Sequence, residues 1–207
     1  MVKILVFGDS ISWGAFDKEK GGWVERLKSF YLKDYEKNKV AIYNLGTSGS
    51  DTNGTLKYLE YDIKRLIELV EINTKDLILL FSIGSNDPYY TNTKNNINIK
   101  QSQFIKNIEK IIEIGKKHTN KIVFTGLMKV DDNLTQPWTA NEFWDNQDII
   151  EYDKIIENIC KEQNIDFIPL INLLNIENDL EDGLHPNSKG HTKIYNCVKK
   201  YLEKNIL

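Results

Sequence analysis

The sequence predicts an α/β fold, a layer of parallel β-strands with helices on both faces. Three observations point there. Five short apolar runs alternate with longer segments in which apolar residues recur at helical spacing. The runs lack the apolar–polar alternation of a half-exposed strand, so both faces of the sheet are expected to be covered. At 207 residues, 41% hydrophobic and 28% charged, the chain is long enough to bury one substantial core. Residues 1–207 therefore read as a single domain with right-handed crossovers.

The first apolar run, Lys3 to Phe7, stops at Gly8, Asp9 and Ser10, where a strand would hand over to a helix. "GGWVERLKSFYLKDYE" (21–36) places Trp23, Val24, Leu27, Phe30 and Tyr31 at helical spacing. "KVAIYNLG" (39–46) is the second strand, "TLKYLEYDIKRLIELVEI" (55–72) a helix and "DLILLFSIG" (76–84) the third strand. A helix over 103–118, a strand over 121–128, a helix over 146–163, a short strand over 166–170 and a last helix over 189–204 complete the alternation. Two polar stretches, residues 90–100 and 130–146, read as loops.

Composition removes several classes of function. The 27 basic and 30 acidic residues leave a net charge of -3, and they are scattered along helical patterns rather than massed, so a nucleic-acid groove is not suggested. No run approaches the ~18 apolar residues of a membrane span. The first strand begins at Val2, so the chain as given has no room for a leader ahead of it, and a cytoplasmic location is expected. Cys160 and Cys197 lie in helical patterns without CxxC spacing and read as small buried thiols. The sequence has no HExxH, calcium loop or Gly-rich phosphate cradle, so neither a metal nor a cofactor is called for.

In open parallel sheets, sites form beyond the carboxyl ends of the strands. The segments there are "GDS", "NLGTSGSD", "SIGSNDPYY", "LMKVDDN" and "EDGLHPN". Ser10 would present its hydroxyl on that side, at the start of a helix whose first amides are unpaired donors. Ser12 is the alternative nucleophile if the strand ends later, and Asp9 is expected to organise the turn. A serine hydroxyl needs a base, and the chain has three histidines. His118 ends an amphipathic helix beside Lys116 and Lys117 and reads as solvated or facing the helix dipole. His191 falls in the first turns of the last helix and reads as a surface residue.

His185 differs, because Asp182 lies three residues before it on one short loop. That spacing lets the carboxylate reach Nδ1 and leaves the other ring nitrogen to face a serine. Acyl transfer also needs donors aimed at a developing oxyanion. Gly46 could offer its backbone N–H and Asn86 its side-chain amide. Each of these residues also has a plain structural reading as a turn or cap residue. Serine, glycine, asparagine and Asp with His nevertheless occur in order, each beyond an expected strand.

Those four blocks, "FGDSISWG", "NLGTSG", "GSND" and "DGLHPNSKGH", resemble the SGNH hydrolases, also called the GDSL lipase and acylhydrolase family, over essentially the whole chain. The resemblance implies a three-layer α/β/α sandwich with a five-stranded parallel sheet, a flavodoxin-like arrangement, and serine esterase chemistry on a small-molecule ester without metal or cofactor. It implies Ser10 as nucleophile and, through its own amide, as oxyanion donor. Gly46 and Asn86 match the other two donors, His185 the base and Asp182 its partner. Two alternatives stay open: an acyltransferase using the same triad, and a silent binding module of the same fold. Trp138, Phe143 and Trp144 are costly to leave in water, and a substrate pocket walled by Trp138 or Trp144 is expected, with Tyr89 and Tyr90 as the next candidates.

Overall fold

The computed structural model describes residues 1–207, apart from the side chains of residues 35 and 38. In chain order the elements are β1 (Val2–Gly8), α1 (Ser10–Trp13), α2 (Trp23–Leu32), α3 (Tyr35–Asn38), β2 (Val40–Gly46), α4 (Thr52–Leu69), β3 (Leu77–Ser82), β4 (Tyr90–Thr91), α5 (Gln101–Lys116), β5 (Ile122–Thr125), α6 (Asp132–Thr135), β6 (Glu142–Phe143), α7 (Asn146–Gln163), β7 (Asp166–Ile168), α8 (Ile176–Asp179) and α9 (Ser188–Asn205). Five of the strands form one sheet in the order β2-β1-β3-β5-β7, and every pairing in it is parallel. The chain leaves β1 for β2 on one side and then crosses to β3 on the other. The topological switch point therefore lies at the carboxyl ends of β1 and β3.

Pleating divides the core in two. Leu5, Phe7, Leu79, Phe81 and Phe124 face α4, α5 and α7, which contribute Leu59, Ile63, Ile108, Ile111, Tyr152 and Ile156. Ile4, Val6, Ile78, Leu80 and Val123 face α2 and α9, which contribute Trp23, Leu27, Ile194 and Val198. Both faces of the central strands are buried, as the unbroken apolar runs require. The helices start where side chains cap them: Asp51 Oδ1 accepts from Gly54 N–H, Asp145 Oδ1 from Gln147 N–H, and Asn187 Oδ1 from the amides of Lys189 and Gly190.

The differences from expectation have local causes. The fourth strand of the sheet, expected over residues 121–128, stops at Thr125. Just beyond it, the Leu127 amide donates to the Asp153 carboxylate at 2.7 Å. The two polar stretches are more ordered than loops, since Tyr90–Thr91 pairs antiparallel with Glu142–Phe143 and the Tyr90 and Phe143 rings stack at 5.1 Å. Two-residue strands leave no periodicity for a sequence to display.

His191 is not on the surface; it is 0% exposed. Its Nδ1 accepts from the Trp23 amide at 3.2 Å and its Nε2–H donates to the Ala15 carbonyl at 2.9 Å, which ties α9 to the loop before α2. Burial lowers its pKa, in keeping with a neutral ring held by one donor and one acceptor. His118 is half-buried rather than solvated, and burial lowers its pKa too. Cys160 is buried as expected, whereas Cys197 is partly exposed, and both are free thiols.

Candidate active site

β1 ends at Gly8, and Asp9 turns the chain by capping α1, its Oδ1 accepting from Ile11 N–H at 2.9 Å. Ser10 follows at the first position of that helix, 7% exposed. The helix has only 4 residues, so what it offers at Ser10 is its first backbone amides rather than a helix dipole. Ser12, the alternative nucleophile, is 0% exposed and does not line the cavity that contains Ser10.

The loop between α8 and α9 brings His185 back over Ser10 across 175 residues of sequence. Ser10 Oγ lies 2.9 Å from His185 Nε2, and His185 Nδ1 lies 2.9 Å from Asp182 Oδ2. Asp182 Oδ1 accepts from the backbone amides of His185 at 2.7 Å and Leu184 at 3.0 Å. Partial burial pushes the Asp182 carboxyl up, but the hydrogen bonds from the His185 ring and amides outweigh it and hold the pKa at about 2. A carboxylate that stays ionised orders the ring with its proton on Nδ1 and leaves Nε2 free to accept from Ser10 Oγ.

Asn86 follows β3 and lines the same cavity, with its Nδ2 donating to Ser50 O at 3.0 Å. The next residue, Asp87, is 0% exposed and accepts from both the amide and the hydroxyl of Thr52, the latter at 2.5 Å. Burial raises its pKa to about 8 against those bonds. Asp87 thus fixes the end of the β3 loop to the start of α4, with Asn86 and Ser50 on the way.

Gly46 is placed differently from the expectation. Its N–H already donates to Asn44 Oδ1 at 3.0 Å, and it does not line the cavity. Its lack of a side chain serves packing, since a Cβ there would lie 2.5 Å from the Trp13 nitrogen. Three residues on, Gly49 does line the cavity, in the left-handed region at φ 76°, and its N–H donates to no described residue. Both glycines stand in "NLGTSG", and the signal separating them is the capture of one amide by Asn44, which spacing does not reveal.

The cavity measures about 340 Å³ and is lined by Ser10, Asn86 and His185 together with Tyr89, Trp138, Trp144 and Leu184, with Ser48, Gly49 and Glu142 toward its polar side. Trp138, Trp144 and Tyr89 thus line the same cavity as Ser10 and His185. Tyr90 does not, being buried in the small sheet against Phe143. Trp138 packs edge-on against Trp144 at 5.4 Å, Tyr89 stacks on Trp144 at 5.0 Å, and Trp144 Nε1–H donates to Ser85 O. Ser48, Glu142 and Leu184 were not legible in advance, because each is an ordinary residue brought in by its neighbours. Among the described residues, no group of His, Cys, Asp or Glu side chains is arranged to hold a metal ion, and no helix is long and apolar enough to cross a membrane.

The fold has counterparts in known proteins. A crystal structure of a lipase/acylhydrolase from Enterococcus faecalis superposes with a TM-score of 0.73 at 23% identity, covering 98% of this chain and 96% of that one. An acetylxylan esterase from Geobacillus stearothermophilus gives 0.73 at 17% identity over 96% and 93% of the two chains. A multidomain esterase from Ruminococcus flavefaciens is 25% identical over 228 residues, an alignment that takes in 93% of this chain and 27% of that protein. The chain thus spans about a quarter of the length of that curated relative. The family model for GDSL-like lipase/acylhydrolase matches residues 4–198, and the chain therefore belongs to that family.

Proposed function

We propose that this chain cleaves a carboxylic ester through an acyl-enzyme formed on Ser10. The observation that carries the reading is the unbroken line from Ser10 Oγ to His185 Nε2 and from His185 Nδ1 to Asp182 Oδ2, each contact 2.9 Å. Ser10 Oγ attacks the carbonyl carbon as His185 Nε2 takes its proton, and the imidazolium then protonates the departing alcohol. Water, deprotonated by the same nitrogen, attacks the acyl-enzyme and releases the acid and free Ser10. Asp182 stays ionised throughout and stabilises the charged ring.

The developing oxyanion takes hydrogen bonds from Asn86 Nδ2, the Ser10 amide and a loop amide. For that last donor Gly49 is the better candidate than Gly46, whose N–H is already committed to Asn44. The cavity of about 340 Å³, lined in part by Trp138 and Trp144, suits a short acyl group better than a long chain. Similarity to an acetylxylan esterase makes an acetylated sugar the first substrate to try.

The test is Ser10→Ala, which deletes one oxygen at a turn and should preserve folding. Hydrolysis of p-nitrophenyl acetate is expected to disappear while the melting temperature holds. Wild-type activity in protein free of contaminating esterase would overturn the reading.

A further inference from the structure

We propose that Trp138 is a positioning residue for the Asp182–His185 pair, an inference that rests on the function proposed above. Its indole Nε1–H donates to Asp182 Oδ2 at 3.1 Å, the same oxygen that faces His185 Nδ1. Asp182 then has a donor at each available direction: two backbone amides on Oδ1 and two ring N–H groups on Oδ2. The backbone bonds set where the carboxylate sits. The two ring donors set which way Oδ2 points.

Trp138 is well placed to hold that direction. Its backbone N–H donates to Glu142 O at 2.9 Å, and its ring packs against Trp144. The same ring lies 5.7 Å from the His185 ring, centroid to centroid, and forms part of the cavity wall. The wall of the acyl cavity and the support of the acid are therefore one side chain.

The decisive variant is Trp138→Phe, which keeps an aromatic ring in the wall and removes the N–H together with the rest of the pyrrole ring. A hydrogen bond to a charged group that matters in the transition state predicts a fall in kcat of about tenfold. The KM for p-nitrophenyl acetate, which is too small to depend on the whole wall, should change by less than about twofold. In an Asp182→Asn background the same substitution should cost kcat little more, because the group it aims is already altered. The downfield proton resonance of His185 Nδ1–H should also move in Trp138→Phe, a change that loss of packing elsewhere would not produce.

Wild-type kcat in Trp138→Phe, or losses that multiply with Asp182→Asn, would overturn the inference. Full activity in Ser10→Ala would instead remove the proposed function and this inference together. Should Trp138→Phe fail to fold, the indole proton of Trp138 carries the test. Its resonance is expected to shift in Asp182→Asn, and indifference to that change would refute the contact's role.

Discussion

At Asp182 and Asn86, pH and truncation test different parts of the proposed chemistry. The Asp182 pKa lies at about 2, below the ordinary 3.8 of an unfolded chain. Its stabilising contribution is therefore present above pH 3.8 and is lost as pH falls through about 2. Asp182 remains charged across the neutral and mildly acidic range and keeps its hold on the His185 ring there. Asn86→Ala is expected to lower kcat by roughly 10²–10³ if the amide binds the oxyanion, with KM much less affected. A loss confined to KM would make Asn86 a substrate-positioning residue instead. Ser10, His185, Asp182 and Asn86 could be picked out from the sequence because their chemistry depends on residue type. The third donor could not, because any backbone amide can serve and only the fold shows which one is unengaged.

Among the elements, the junction of β3 with α4 has a measurable signature. Asp87 is buried among Thr52 and Asn107, whose Nδ2 donates to Thr52 Oγ1 at 2.7 Å. With its pKa raised to about 8, the folded state prefers the protonated acid. That preference is fully present below 3.8 and is lost progressively as pH rises from there through about 8, so the melting temperature of the wild type should decline across that window and level off above it. Asp87→Asn removes the ionisation and should flatten that part of the curve; an unchanged decline between 3.8 and about 8 would place its cause elsewhere. The long elements were legible because α4, α5, α7 and α9 each repeat buried apolar residues at helical spacing. The pairing of β4 with β6 was not, since it depends on two distant loops meeting and on the Tyr90 and Phe143 rings stacking. His191 was misread for the same reason: its partners, Ala15 and Trp23, are 176 and 168 residues away in sequence.

Across the whole molecule, the switch point between β1 and β3 gathers the loops of the candidate site, and the 130–146 segment lines the same cavity with Trp138, Glu142 and Trp144. A cavity of this size predicts that kcat/KM falls steadily from acetate to longer p-nitrophenyl esters. A maximum at long chains would mean that the tryptophans move aside or that the acyl group lies elsewhere. The central claim, that Ser10 is a nucleophile activated by His185, is tested most directly by covalent labelling with a fluorophosphonate and mapping of the modified peptide. The wild type should take up one label on Ser10, Ser10→Ala none, and His185→Ala should react far more slowly. Label on Ser12 or any other residue, or undiminished labelling of Ser10→Ala, would contradict the account.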